Sequence, residues 1–227
     1  MIDLKKENNK IKLLTNKEVI ELLSILEKDY SDAKCGLDFE SPLELTVSLI
    51  LAAQCTDKRV NMIRPILFNK YPDVYSLAKA DRKQLEDIIH SCGFYNNKAK
   101  NIIATANILV NNFEGKVPSS MSELTSLAGI GRKSANIILQ ECFDITEGIA
   151  VDTHVTRITK KLGLTSNTDA INIEKDLMKS IPKKYWNKIN HMLVNHGRSV
   201  CDAKKPKCTD CKLNHICREY KKTQEKN

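Results

Sequence analysis

A ten-residue stretch, residues 127–136, combines bare backbone with two cations. Gly129 and Gly131 permit positive φ angles and expose main-chain amides, and the apolar spacing that follows predicts a helix. The first N–H groups of a helix lack helical partners and suit a phosphate. Arg132 and Lys133 lie where a helix prefers anions, and such local conflicts are expected at functional sites. The stretch therefore predicts a phosphate-binding hairpin, with an ordinary corner bearing solvated cations as the alternative.

Four cysteines near the C-terminal end have a spacing that suits a metal centre. The four, which fall within seventeen residues, are Cys201, Cys208, Cys211 and Cys217. Zinc is one candidate, although zinc sites usually contain paired C-x2-C knuckles and only one pair here has that form. Four thiolates leave no open coordination position for a substrate, so a structural role is favoured. Between the first two ligands lie Lys204, Lys205 and Lys207, which are candidates for phosphate contacts, with plain solvation as the alternative.

A third motif, Val151-Asp152-Thr153-His154, makes the pattern specific. The hairpin, Lys133, this motif and the cysteine spacing, in this order, closely resemble endonuclease III, a DNA base-excision repair enzyme of the helix–hairpin–helix glycosylase superfamily. The resemblance runs over about residues 16–217, which leaves the first fifteen and the last ten residues as unmatched tails. The 6-2-5 spacing of the cysteines is similar to the [4Fe–4S] loop of that family.

The resemblance implies a bifunctional DNA glycosylase and AP lyase that removes oxidised pyrimidines from duplex DNA. Lys133 would attack C1′ of the sugar and form a Schiff base, and β-elimination would then nick the strand. Asp152 would stabilise the cationic sugar and help to move protons, although such a residue is ordinarily the N-cap of the helix that follows. His154 is expected to be structural or to face a phosphate, and Tyr95 is expected to pack.

A glycosylase must also take its target base out of the stack and fill the gap. By resemblance, Gln54 and the residue after Gly93 do so. The family commonly has leucine at the second position, whereas this chain has Phe94, which can stack on the opposing base or, alternatively, be a buried core residue. Ala128 stands where the family often has proline. The absence of proline should make the turn less rigid without changing its backbone amides. The residues expected to contact DNA are Gln54, Phe94, Gly129, Ile130, Gly131, Lys204, Lys205 and Lys207.

Three other functions fit parts of the pattern. The adenine glycosylase that acts opposite oxidised guanine resembles this chain in its hairpin, aspartate and cluster, but it lacks the lysine and carries an extra C-terminal domain. A non-catalytic DNA-binding module would need only the hairpin, and an iron–sulfur redox sensor would need only the cluster. The presence of both Lys133 and Asp152 favours the enzyme over the binding module.

The charge distribution agrees with a nucleic-acid partner. Residues 183–227 hold twelve Lys or Arg and four Asp or Glu, which accounts for the whole net charge of +8. Duplex DNA is the expected polyanion, and a generally lysine-rich composition is the alternative. No apolar run is as long as a membrane span, and the polar N-terminus is not a signal peptide, so we expect a cytoplasmic protein. We also expect a monomer that associates with the nucleoid when it is bound to DNA. The other cysteines, expected to be small buried thiols, are Cys35, Cys55, Cys92 and Cys142.

Capping residues and apolar periodicity predict an all-α fold without strands. Helices are expected to begin after Thr15, Ser41, Thr56, Asp81 and Ser120, to follow the hairpin, and to cover about 96–113, 153–162, 172–180 and 182–196. Pro65 is expected to kink or interrupt its helix, whereas Gly93 and Gly197 are expected to end theirs.

The architecture is implied by the resemblance and not by the periodicity. A helix–hairpin–helix DNA glycosylase fold has two helical lobes with a cleft between them that holds DNA. One lobe would be a six-helix barrel over about residues 35–146, including the hairpin. The other would combine residues 1–34 with residues 147–227 and hold the iron–sulfur cluster.

Overall fold

A computed structural model describes residues 12–225 of the chain. The chain divides into two compact units, Cys35–Ala150 and Met1–Lys34 with Val151–Asn227, which we call the inserted unit and the split unit. The regular secondary structure of the described residues is entirely helical, as predicted. No helix in this part of the chain is long and apolar enough to cross a membrane. Most of the predicted N-terminal tail, residues 1–11, lies outside the described residues.

The helices are numbered in chain order. They are α1 (Asn16–Asp29), α2 (Pro42–Ala52), α3 (Asp57–Lys70), α4 (Val74–Ala78), α5 (Arg82–Ile89), α6 (Tyr95–Asn112), α7 (Met121–Ser126), α8 (Arg132–Phe143), α9 (Thr153–Leu162), α10 (Ala170–Ser180), α11 (Trp186–Ser199) and α12 (Arg218–Gln224). Short 3-10 helices, His90–Cys92 and Lys183–Tyr185, precede α6 and α11. Helices α2 to α8 belong to the inserted unit and the others to the split unit.

Helix α2 is apolar on nearly all faces and is buried within the inserted unit. The Ser41 hydroxyl caps it by accepting the Glu44 N–H at 3.2 Å, and Pro42 occupies the first helical position. Every residue from Leu45 to Leu51 is buried, and α2 packs against α3, α6 and α8. A helix that is apolar on all faces can be stable only when neighbours cover it on all sides.

Helix α3 continues through Pro65, so of the two predicted effects of the proline, a kink or an interruption, the interruption is wrong. Proline removes one helical hydrogen bond, but α3 runs from Asp57 to Lys70. Val60, Ile63 and Leu67 are buried on both sides of the proline. Burial of each such side chain contributes about 1.5–3 kcal/mol, which offsets the loss of a single backbone bond.

The split unit begins with α1, which starts after Thr15 as predicted and has a capping box and a buried apolar stripe. Thr15 accepts the Glu18 N–H at 3.3 Å, and the Thr15 N–H donates to the Glu18 carboxylate at 2.8 Å. The stripe is fully buried and consists of Val19, Leu22, Leu23 and Leu26. α1 packs against α11, which also packs against α9.

Gly197 lies inside α11 and does not end it, so the predicted helix end is wrong. A Cβ atom at this position would lie 2.8 Å from both His154 Nδ1 and Ile158 Cδ1. The missing side chain therefore lets α9 and α11 approach closely, and the packing of α11 outweighs the low helix propensity of glycine.

Arg218 joins the two separated segments of the split unit. Its guanidinium binds both carboxylate oxygens of Glu18, at 2.7 and 2.6 Å. It also donates to the Lys12 carbonyl at 2.9 Å. Hydrogen bonds from Arg218 are the largest cause that lowers the pKa of Glu18 to about 2. Arg218 begins α12, a helix that the sequence analysis does not predict.

Candidate active site and metal centre

The hairpin before α8 is fixed from within the inserted unit. Gly129 has a φ of 80°, and the Ile130 N–H donates to the Leu127 carbonyl at 3.2 Å. The buried Thr105 hydroxyl of α6 donates to the Ala128 carbonyl at 2.9 Å. The turn is therefore held by its own backbone and by α6, although Ala128 lacks the rigidity of proline. Ile130 is 4% exposed, so its side chain belongs to the core.

Gly131 differs from Gly129 in its conformation. It is the N-cap of α8 with φ −98° and ψ 177°, which is an extended conformation that any residue adopts. Of the two hairpin glycines, only Gly129 therefore has a positive φ. Apart from Gly131 and its two chain neighbours, no residue places a heavy atom within 4 Å of the position of a Cβ at Gly131. The fold itself therefore does not require glycine here, and the backbone at the start of α8 is open to an outside group.

Lys133 is the second residue of α8, half-buried and directly after this open N-cap. The positive charge of Lys133 acts electrostatically on the thiol of Cys35. Burial raises the pKa of Cys35 to about 11, and the Lys133 charge is among the influences that oppose this rise.

The two residues expected to fill a gap in DNA both have a left-handed backbone. Gln54 has a φ of 54° and Phe94 a φ of 48°, and within residues 12–225 only Glu114 and Asp144 share this feature among non-glycine residues. Left-handed backbone is strained for such residues and is concentrated at functional sites. Phe94 is 65% exposed, which excludes the alternative of a buried core phenylalanine. Tyr95 packs against the core and His90, as expected.

Asp152 lies in the split unit, whereas Lys133 lies in the inserted unit. Asp152 is the N-cap of α9, and its Oδ1 accepts the Val155 N–H at 2.8 Å. This bond fixes the carboxylate at the start of the helix. His154 is half-buried, with Nδ1 3.4 Å from the Arg157 guanidinium and next to Gly197, which agrees with the structural interpretation of that histidine.

The four predicted metal ligands line one pocket of the split unit. Cys201, Cys208, Cys211 and Cys217 share this pocket, which has a volume of about 170 Å³ and is partly open to solvent. Within the part of the chain that the structure describes, no group of three His, Cys, Asp or Glu side chains is placed to hold a single metal ion.

Neighbouring helices hold the cysteine segment in place. Arg157 of α9 donates to the Cys201 carbonyl at 2.9 Å, and the Cys201 N–H donates to the His196 carbonyl at 2.8 Å. The Cys217 thiol donates to the Lys161 carbonyl at 3.4 Å. Burial raises the pKa of the Cys201 and Cys217 thiols, so a nearby positive charge is needed to stabilise their thiolates.

The loop between the first two cysteines is shaped by an aspartate that the sequence analysis missed. Asp202 Oδ1 accepts the N–H groups of Lys204 and Lys205, at 2.8 and 3.0 Å. These bonds are the main cause of the lowered pKa of Asp202. The signal was an aspartate at the start of a loop, which favours such turns. Lys204, Lys205 and Lys207 are all exposed.

Comparison with known proteins places this arrangement in a family. The family model described as "HhH-GPD superfamily base excision DNA repair protein" matches residues 47–183. Endonuclease III of Synechocystis sp. is 50% identical over 197 residues, which cover 87% of this chain and 90% of that protein.

Two solved structures agree. A non-covalent endonuclease III–DNA complex and a trapped endonuclease III–DNA covalent intermediate each match with a TM-score of 0.89 and 39% identity. They cover 94% and 93% of this chain, respectively, and 100% of the solved chains. The chain therefore belongs to the HhH-GPD superfamily of base excision DNA repair proteins and, within it, to the endonuclease III family. The predicted helix–hairpin–helix glycosylase fold and the base-excision repair function are thereby confirmed.

Proposed function

We propose that the chain is a monomeric, bifunctional DNA glycosylase and AP lyase that removes oxidised pyrimidines from duplex DNA. The observation that carries this proposal is Lys133 on the first turn of α8, directly after an N-cap whose backbone is open to an outside group. The trapped covalent intermediate of endonuclease III with DNA supports a step in which enzyme and DNA are joined.

Lys133 is the proposed nucleophile. Its neutral amine forms a bond to C1′ as the N-glycosidic bond breaks, and the base leaves with a proton. Opening of the sugar ring gives a Schiff base between Nζ and C1′. The iminium acidifies the C2′ proton, and its removal expels the 3′ phosphate by β-elimination, which nicks the strand.

Asp152 is proposed to stabilise positive charge on the sugar and to help move protons. Its capping bond to the Val155 N–H holds the carboxylate in one orientation. A negative charge fixed before the reaction costs no reorganisation during it.

Backbone and lysine contacts are proposed to position the DNA. The backbone at Gly129 and Gly131 approaches one phosphate, and the exposed lysines of the 202–207 loop contact others. These contacts carry no sequence information. Gln54 and Phe94 enter the gap left by the flipped nucleotide, where the exposed Phe94 ring stacks on a base.

The four cysteines are proposed to hold a [4Fe–4S] cluster. An all-cysteine ligand set suits such a cluster, and the shared pocket has room for a group larger than one ion. When bound, the cluster supplies positive iron for the thiolates and a structural cross-link. The ligands Cys201 and Cys208 bracket the basic loop, which Asp202 shapes from within.

Borohydride trapping tests the nucleophile, because it reduces a Schiff base to a stable amine. We expect wild type to cross-link to a duplex with an abasic site, and Lys133→Gln to lose cross-linking, glycosylase and lyase activity while still binding DNA. Lys100→Gln, which removes an exposed charge from α6 of the same unit, should behave as wild type. Cross-linking of Lys133→Gln at wild-type yield would show that another amine is the nucleophile.

Metal analysis of the purified protein tests the cluster. We expect four irons per chain and broad visible absorbance. Cys208→Ser should lose iron together with stability and DNA affinity. One zinc per chain in wild type would overturn the assignment.

A further inference from the structure

Lys98 of α6 is buried in the inserted unit and binds two backbone carbonyls. Its side chain is 4% exposed, and Nζ donates to the Leu51 carbonyl at 2.8 Å and to the Cys92 carbonyl at 2.9 Å. Lysine is almost never buried to this degree unless it is paired. Burial lowers its pKa, so the ammonium pays a desolvation cost that these two bonds offset.

Both carbonyls lie where the chain leaves a helix. Leu51 is the last residue but one of α2, where carbonyls lack helical donors. Cys92 ends the 3-10 helix before Gly93, which has a φ of 69°. Gln54 follows the first carbonyl by three residues, and Phe94 follows the second by two. Each is in the left-handed conformation. The Lys98 ammonium therefore holds the backbone at the start of two segments, residues 51–54 and residues 92–94.

We propose that Lys98 is a positioning residue for lesion recognition, which holds Gln54 and Phe94 together in the conformation that enters the DNA gap. The inference rests on the proposed gap-filling role of those two residues. Segments that are already ordered in the free protein lose less conformational entropy when they bind DNA. A tetrahedral ammonium can donate in several directions at once, whereas a methionine of similar length cannot donate at all.

Lys98→Met tests the inference with two otherwise identical duplexes, one containing a tetrahydrofuran abasic analogue and one intact. Wild type should prefer the analogue duplex. In the variant we expect this preference, the ratio of the two Kd values, to fall about tenfold, with binding to the intact duplex changed by less than about twofold. Hydrogen exchange should rise at residues 52–55 and 93–95.

Leu109→Ala is the matched control, because it lowers the stability of the same helix about three turns away from Lys98. Leu109 is fully buried, and its variant should melt earlier yet keep the wild-type preference. If Lys98→Met does not fold, Lys98→Gln replaces it, since the shorter amide cannot reach both carbonyls and the same fall in preference is expected.

A double-mutant cycle separates positioning from general stability. If Lys98 acts through the two gap residues, Lys98→Met should cause no further loss of preference in a Gln54→Ala/Phe94→Ala background. A wild-type preference in Lys98→Met, or a further loss in that background equal to the loss in wild type, overturns the inference. If Gln54→Ala/Phe94→Ala itself keeps the full preference, the gap-filling role fails and the positioning role of Lys98 fails with it.

Discussion

At the scale of single residues, the two hairpin glycines meet different demands. Gly129 has a φ of 80°, and a Cβ there would lie 2.8 Å from Asn101 Nδ2. Gly129→Ala should therefore destabilise the protein by at least about 1–2 kcal/mol. Gly131→Ala should change stability by less than about 0.5 kcal/mol, because its backbone is extended and the space is open. DNA affinity should nevertheless fall, since the methyl group obstructs a phosphate.

Thermal melts and salt-dependent binding on damaged and intact duplexes check this pair. The loss for Gly131→Ala should be similar on both duplexes, because a backbone contact does not read the lesion. Its salt slope should change less than that of Lys204→Ala, because an amide carries no full charge. A loss confined to the damaged duplex would place the hairpin in the lesion pocket instead.

Residue types predicted the hairpin but not the use of each glycine. Glycine adopts positive and negative φ about equally well, so the sequence cannot show that Gly129 uses the first and Gly131 the second. Residue type alone did not decide the exposure of Phe94 either, since a phenylalanine is often a core residue; the resemblance to a known family favoured the exposed, gap-filling role. Lys98 resembled any polar residue on an amphipathic helix, because its partners are carbonyls that no sequence motif marks.

At the scale of elements, the ion pair between α1 and α12 should make stability depend on pH. The folded-state pKa of Glu18 is about 2 against an ordinary 4.5. A lowered carboxyl pKa stabilises the fold above the unfolded value, and this contribution is lost as pH falls towards 2. Glu18→Gln should therefore lower Tm at pH 6, and the difference from wild type should shrink steadily below about pH 4.5.

Glutamine suits this test because it retains the capping-box geometry while removing the charge. Melts of wild type and variant from pH 6 to pH 3 provide the measurement. Glu21→Gln is the control, because its pair with His215 is exposed on both sides and such pairs contribute about 0–1 kcal/mol. A Tm difference for Glu18→Gln that stays constant with pH would contradict the ion-pair account.

Helix starts were predictable from sequence, whereas several helix ends were not. Capping side chains announce a start locally, as Thr15, Ser41 and Asp152 do. An end is decided by what lies beyond the helix. Helix α11 continues through Gly197 because α9 occupies the space that a side chain at this position would need. Helix α4 has only five residues, too few for an apolar period to be recognised.

At the scale of the whole molecule, the two units should differ in their response to metal removal. The inserted unit has a large apolar core of its own. In the split unit, the segment around the four cysteines lies beside a pocket and consists mostly of turns. After chelation, trypsin should therefore cut first at the lysines between 204 and 212, while a fragment covering residues 35–150 persists.

Mass spectrometry of timed digests identifies these fragments. The untreated protein should resist cleavage between residues 204 and 212 over the same period. Earlier cleavage inside residues 35–150 of the chelated protein would mean that the metal centre supports the inserted unit instead.

Local patterns could not predict that residues 12–34 pack with residues 151–225. Periodicity identifies an apolar face but not the element that covers it. The bonds between Arg218 and Glu18 join residues 200 positions apart, and neither residue carries a local signal for the other. Only the resemblance to a known family suggested a discontinuous lobe.

The pairing of α1 with α11 has a consequence for synthesis on the ribosome. α1 emerges early, but α11 begins only at Trp186, which at usual translation rates is roughly 10–30 seconds later. The inserted unit has its complete sequence in the meantime and can fold first. Until then the apolar stripe of α1 stays exposed to solvent. Helix α1 is therefore the segment most prone to aggregation or chaperone binding in the nascent chain. Closure of the split unit is then a late event, and the segment that carries the four cysteines can reach its final arrangement only after it.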